Sequence, residues 1–151
     1  MVTSETCLSC EVIAGRAASP GGFIFESENW LLTHQVRPAS LAGFLILQPR
    51  RHVEQIADLT TQEASEMGGL LRRATQALTR ALQPEKIYVC SFGSGVKHVH
   101  FYLIPRSSEM PPEVIGVDLL KELSTGRWAC SDEDAAHVAA QVRIEMRKQP
   151  F

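Results

Sequence analysis

His98-Val99-His100-Phe101-Tyr102-Leu103-Ile104-Pro105-Arg106 follows Val96-Lys97 and alternates polar and apolar side chains over most of its length. A period of two belongs to a β-strand, where successive side chains point to opposite faces. His98, His100, Tyr102 and Ile104 then share one face, and Val99, Phe101 and Leu103 anchor the other in a core. Same-face neighbours lie roughly 7 Å apart, so two imidazoles and a phenol stand in a row. The spacing alone fits a rigid platform for polar chemistry and equally a half-exposed edge strand whose histidines have no role.

Working outward, Gly93-Ser94-Gly95 reads as a turn, and residues 87–92 before it as a strand. A short glycine-rich turn joins such strands most simply as an antiparallel pair. Residues 60–82 read as a long helix. Thr60 and Glu63 have capping-box spacing, Pro84 closes the segment, and Ala64, Met67, Leu71, Ala74, Leu78 and Ala81 recur every three or four residues. Gly68-Gly69 weakens that helix locally or admits another element. Further upstream, Gly43 to Gln48 is a strand ended by Pro49, and short strands are expected over 23–26 and 30–33. Downstream, residues 107–112 form a loop and 117–123 a short helix. A last helix is capped by Ser131, with acids in its first turn, Arg147 and Lys148 in its last, and Ala135, Val138, Val142 and Met146 on its buried stripe.

The chain has 151 residues, enough for one domain with a real core, and no repeat or linker divides it. Hydrophobic residues make up 44% and charged residues 21%, an ordinary balance for a soluble protein. A net charge of −2 argues against nucleic acid as an electrostatic partner, though not against a small nucleotide. No apolar run approaches the ~20 residues of a membrane span, and the first ten residues lack the regions of a signal peptide. A cytoplasmic location is expected.

Cys7-Leu8-Ser9-Cys10 is a C-x-x-C. In a chain of this kind it is a zinc half-site or a redox pair. Cys90 and Cys130 stand alone, so a tetrahedral site needs other ligands, for which the histidines are candidates. His52 follows Pro49-Arg50-Arg51, His34 lies in a turn-like region, and His137 reads as a solvated helix residue. A thioredoxin-like pair needs a strand ahead of it, which is lacking here, so zinc is favoured over redox.

Taken together, these stretches resemble the histidine triad (HIT) family, in its zinc-bearing bacterial type. Residues 98–106 are similar to its signature strand of alternating histidines. Residues 7–15 resemble its zinc-binding N-terminal segment, 43–52 its strand ending in Pro-basic-x-His, and 60–82 its central helix. The resemblance covers residues 7–106 and implies one HIT-like domain over 1–151, with 107–151 as a helical extension. The implied fold is α+β: an antiparallel sheet of about five strands, a long central helix and a C-terminal helix, usually in a homodimer. The implied activity is hydrolysis or transfer at the α-phosphate of a nucleotide conjugate, a phosphoramidate or a dinucleoside polyphosphate. By position, His100 matches the nucleophile that becomes nucleotidylated. His98 matches the first histidine, which joins Cys7, Cys10 and His52 around a zinc ion.

The chemistry is sound without the family. A neutral imidazole attacks phosphorus well, and water releases the resulting phosphoramidate. Backbone N–H groups of Gly93, Ser94, Gly95 and Val96 are expected to hold phosphate oxygens. A four-coordinate zinc is closed and hence structural, tying the N-terminal segment to the histidine strand.

The sequence also departs from the family pattern. Tyr102 stands where the third histidine belongs, a hydrogen-bond donor but a poor proton shuttle at neutral pH. Ser94 keeps one hydroxyl, but a longer amide and a second hydroxyl before the histidines are missing. The acid that grips the ribose diol falls near Thr33-His34-Gln35, where there is none, and Ser9 replaces an aromatic beside the base. These departures bear on substrate and turnover and leave the fold untouched. Two readings follow: an enzyme with His100 as nucleophile, favoured because that residue is retained, and a nucleotide-binding interaction module with little turnover.

Overall fold

The computed structural model describes residues 7–150. In chain order the elements are α1 (Leu8–Ile13), β1 (Phe23–Glu26), β2 (Trp30–His34), β3 (Leu45–Pro49), α2 (Thr61–Leu82), β4 (Lys86–Cys90), β5 (Phe101–Arg106), α3 (Val117–Ser124) and α4 (Asp132–Arg147). A 3-10 turn, Ile56–Asp58, precedes α2. The strands form one sheet in the order β1-β2-β3-β5-β4, antiparallel throughout. This is the expected α+β architecture.

Alternation along the three central strands gives the sheet two different faces. Leu32, Leu45, Leu47, Phe101 and Leu103 look toward α2 and α4, where they meet Leu70, Ala74, Ala77, Leu78, Val138 and Val142 in the main core. Burying each such leucine contributes about 1.5–3 kcal/mol. Trp30 closes this core, donating its indole N–H to the Glu63 carbonyl at 3.1 Å. The other face carries Ile46, Tyr102 and Ile104. The segment after β5 covers part of it, packing Met110, Val114, Leu119 and Leu123 around Phe44 and Ile104. Arg106, buried at the end of β5, holds that segment down by donating to the carbonyls of Val114 (2.8 Å), Pro111 (2.8 Å) and Met110 (3.2 Å).

Helix α2 begins as its sequence predicts. Thr60 accepts from the Glu63 N–H at 3.1 Å while Glu63 accepts from the Thr60 N–H at 2.7 Å. Its buried face keeps part of the expected stripe: Ala74 and Leu78 are deep in the core, joined by Leu70 and Ala77, while Met67, Leu71 and Ala81 lie at the core's edge and Ala64 is exposed. Gly68 and Gly69 face open space, with no close approach by another element among the described residues. The α4 stripe is buried as expected.

The histidine stretch is the second departure. The β5 ladder begins at Phe101, paired with Leu47, rather than at His98. Ahead of it the Val99 N–H turns to the Val53 carbonyl at 2.8 Å, so His98 and His100 occupy a lead-in to the strand. Gly43 enters β3 at φ +86°, a left-handed value that glycine tolerates without strain.

Candidate functional site

Two clusters meet at this lead-in. The first is Cys7, Cys10, His52 and His98, whose ligating atoms all lie within 4.8 Å of one another. Cys10 Sγ is 3.3 Å from His52 Nδ1 and 3.6 Å from His98 Nδ1, and Cys7 Sγ is 3.8 Å from His98 Nδ1. Ligands at zinc-thiolate and zinc-imidazole distances on a tetrahedron stand roughly 3.3–3.8 Å apart, so these separations fit a zinc ion. All four expected ligands are therefore together, and they form a closed Cys2His2 set with no position left for substrate.

The surroundings support that use. His98 donates its Nε2–H to the Pro49 carbonyl at 2.8 Å, which leaves Nδ1 with its lone pair toward the cluster. Such an outer bond fixes the tautomer of a metal-binding histidine. Burial holds the His98 ring below its usual pKa, outweighing the raising effect of its bond to Pro49, and the neighbouring His52 and His100 add to the lowering. Burial, then the bond to Cys7, pushes the Cys10 thiol up to about 11. A bound cation reverses that preference, because a coordinating thiol is deprotonated.

The second cluster surrounds His100. Its Nδ1 lies 2.7 Å from the His98 carbonyl oxygen. A carbonyl only accepts, so Nδ1 carries the proton, and in the neutral ring the lone pair lies on Nε2. The ring is buried in the protein yet lines a cavity of about 230 Å³ on the partly covered face of the sheet. Helix α1 supplies one wall through Leu8, Ser9 and Val12, and the β2 end with residues 35–38 supplies another. Ile46, Gln48, Val96 and Tyr102 complete the lining around His100.

The residues expected to bind substrate fall out unevenly. Thr33, His34, Gln35 and Val96 line the cavity, whereas Gly93, Ser94 and Gly95 do not, and Ser94 and Gly95 are exposed to solvent. His34 has both ring nitrogens engaged by backbone: Nε2 accepts from the Gly43 N–H at 2.9 Å and Nδ1–H donates to the Gln35 carbonyl at 3.0 Å. Burial holds it neutral by lowering its pKa. It therefore braces the loop between β2 and β3. Gln35 uses its amide oxygen to accept from the Ser40 N–H and hydroxyl at 2.9 and 2.8 Å.

Tyr102 stacks obliquely on His100, with ring centroids 4.9 Å apart, and meets Phe44 edge-on at 5.0 Å. Burial, then the nearby Cys90, raises its phenol pKa, so it remains a neutral donor. His137 is exposed on α4, as a solvated residue should be. Sequence reasoning passed over Gln48, a buried glutamine on the cavity wall.

The HIT domain family matches the sequence over residues 16–109. No curated protein matches it significantly. Among solved structures, a Zn-bound histidine triad family protein from Mycobacterium smegmatis superposes with a TM-score of 0.70 at 18% identity, covering 96% of this chain and 96% of that one. A Hit-like protein involved in cell-cycle regulation from Bartonella henselae gives 0.71 at 16% identity, covering 93% and 96%. A hypothetical histidine triad nucleotide-binding protein from Sulfolobus tokodaii gives 0.72 at 14%, covering 94% and 93%. At these identities the likeness is one of fold.

Proposed function

We propose, since the chain belongs to the HIT domain family, that it is a nucleotidyl hydrolase or transferase acting at the α-phosphate of a nucleotide conjugate, with His100 as nucleophile. The observation that carries this reading is the Nδ1–H bond from His100 to the His98 carbonyl, which leaves Nε2 unprotonated beside a ligand-sized cavity.

On a nucleoside phosphoramidate, the Nε2 lone pair forms a bond to phosphorus as the phosphorus–amine bond breaks. The amine leaves with that electron pair and takes a proton from solvent. Water then attacks the nucleotidyl-histidine, the phosphorus–Nε2 bond returns its pair to the ring, and a proton passes to solvent. Nucleoside monophosphate and free amine are the products. The zinc supplies no step; Cys7, Cys10, His52 and His98 hold it as a structural centre.

In this reading Tyr102 occupies the place of the family's third histidine and donates a hydrogen bond rather than shuttling protons. Val96, Thr33, His34 and Gln35 shape the nucleoside end of the pocket, and Gly93, Ser94 and Gly95 serve only if the turn closes over bound ligand. The whole chain acts as one cytoplasmic HIT-like domain. The exposed edge of β4, with Val89 and Phe92 beside it, is the side available to a second copy in a homodimer.

The test is incubation with adenosine 5′-phosphoramidate or a dinucleoside polyphosphate, following monophosphate release and the mass of the covalent adduct. His100→Ala should lose on the order of 10⁴-fold in kcat and show no adduct. Wild-type release no faster than that of His100→Ala, with nucleotide still bound, would favour the interaction module.

A further inference from the structure

The β2–β3 ladder pairs Leu31 with Gln48, and the β3–β5 ladder ends with Leu47 opposite Phe101. Gln48 stands one step beyond that last pair, on the face of the sheet that His100 also occupies. The ladder ends there, but the lead-in still runs beside β3, since the Pro49 carbonyl accepts from the His98 ring at 2.8 Å. Gln48 and His100 both line the cavity, as do Ile46 and Tyr102, which are paired in the adjoining row.

Gln48 is only 2% exposed, and among the described residues its side-chain amide has no hydrogen-bond partner. Because Gln48 lines the cavity, that amide is open to whatever the cavity holds. Its same-face neighbour on β3, Ile46, is apolar and packs against the second core, so a polar side chain at 48 is not what packing alone would select. Ser9 and Thr33, also buried and without a side-chain partner, line the same cavity. The wall around His100 is thus supplied with hydrogen-bonding groups that the protein itself does not use.

We propose that the Gln48 side-chain N–H donates to a non-bridging oxygen of the phosphoryl group that His100 attacks, making Gln48 a substrate-binding residue of this site. The inference rests on the nucleotidyl-transfer reading above. It follows from position: the turn at residues 93–95 contributes no donor to the cavity, while Gln48 lines it together with the nucleophile. A donor there holds phosphorus in line with Nε2 and takes up charge as the bond forms.

Gln48→Leu and the volume-matched Gln48→Met test this against wild type, with adenosine monophosphate and adenosine as ligands. Both variants should weaken adenosine monophosphate about 10- to 100-fold, the range for a hydrogen bond to a charged group. Adenosine binding should stay within about twofold, and Tm should hold or rise because no hydrogen bond within the protein is lost. Gln48→Glu should weaken the monophosphate further by placing like charges together, leaving adenosine again unaffected.

Equal loss for both ligands would assign the amide to the nucleoside and overturn the proposal. So would unchanged monophosphate binding, or a fall in Tm of more than about 5 °C in both apolar variants, which marks a structural residue. A wild-type protein that binds neither ligand overturns the functional reading itself and this inference with it.

Discussion

The carbonyl oxygen of His98 accepts the Nδ1–H of His100 at 2.7 Å, while the His98 ring belongs to the metal cluster. One residue thus faces two ways: its side chain closes a zinc site and its backbone sets the tautomer of His100. Helix α1 is bound to this residue through Cys7 and Cys10, and the same six-residue helix forms a wall of the cavity. Metal cluster, cavity wall and His100 are mechanically one unit.

Removal of zinc should therefore destabilise the fold. Binding energy for a structural metal is folding energy, and loss of several kcal/mol lowers the Tm of a domain this size by on the order of 10 °C. Differential scanning calorimetry before and after chelation, with zinc content measured, checks this. An unchanged Tm in metal-free protein would show that the four ligands hold together without the ion.

Stability should fall in acid through Glu63. Its side chain is 4% exposed and lies 2.8 Å from Arg51, and that guanidinium, outweighing burial, holds the carboxyl below its ordinary pKa. A depressed folded-state pKa contributes stability above the unfolded value, and the contribution is lost as pH falls through the folded one. Glu63→Gln should cost about 1–3 kcal/mol at neutral pH, and the loss should shrink below about pH 4. Urea unfolding at a series of pH values gives the comparison.

Gly43→Ala should be among the more harmful single-methyl changes. The backbone there has φ +86°, and an added Cβ would meet Leu82 Cδ1 at 2.5 Å and Pro105 Cγ at 3.1 Å. The expected loss is about 1–3 kcal/mol, from strain and overpacking together. Because the Gly43 N–H also holds His34, hydrogen exchange should quicken across residues 34–43.

Tyr102→Phe should leave the shape of the pH–rate profile unchanged between about pH 6 and 9, since burial keeps the phenol protonated across that range. The value of kcat/KM should fall about two- to tenfold through loss of one donor. A shifted alkaline limb in the variant would instead make Tyr102 a proton-transfer group.

Much of this arrangement is legible in the sequence because it depends on short-range rules. The alternation around Phe101 and Leu103, the Thr60–Glu63 cap and the Ser131 cap each depend on residues within one turn or one strand. The early end of the β5 ladder does not, since Val99 bonds to Val53, a residue far away in the chain. On α2 the spacing finds Ala74 and Leu78, but Leu70 and Ala77 are buried beside them because α4 and the sheet cover an adjoining apolar row. Gln48 carries a signal, a glutamine in an otherwise apolar strand, but its meaning depends on sharing the cavity with His100.

The metal ligands are distributed very unevenly along the chain: Cys7 and His98 are 91 residues apart, Cys10 and His52 are 42. Closing loops of that size carries an entropic cost that no single coordination bond offsets early in folding. Zinc capture then belongs after sheet assembly, and adding the ion during refolding should slow unfolding without hastening the formation of native strands. The ion acts as a late lock on a finished scaffold, which makes the lifetime of the native state, rather than the speed of reaching it, the property that depends on metal supply.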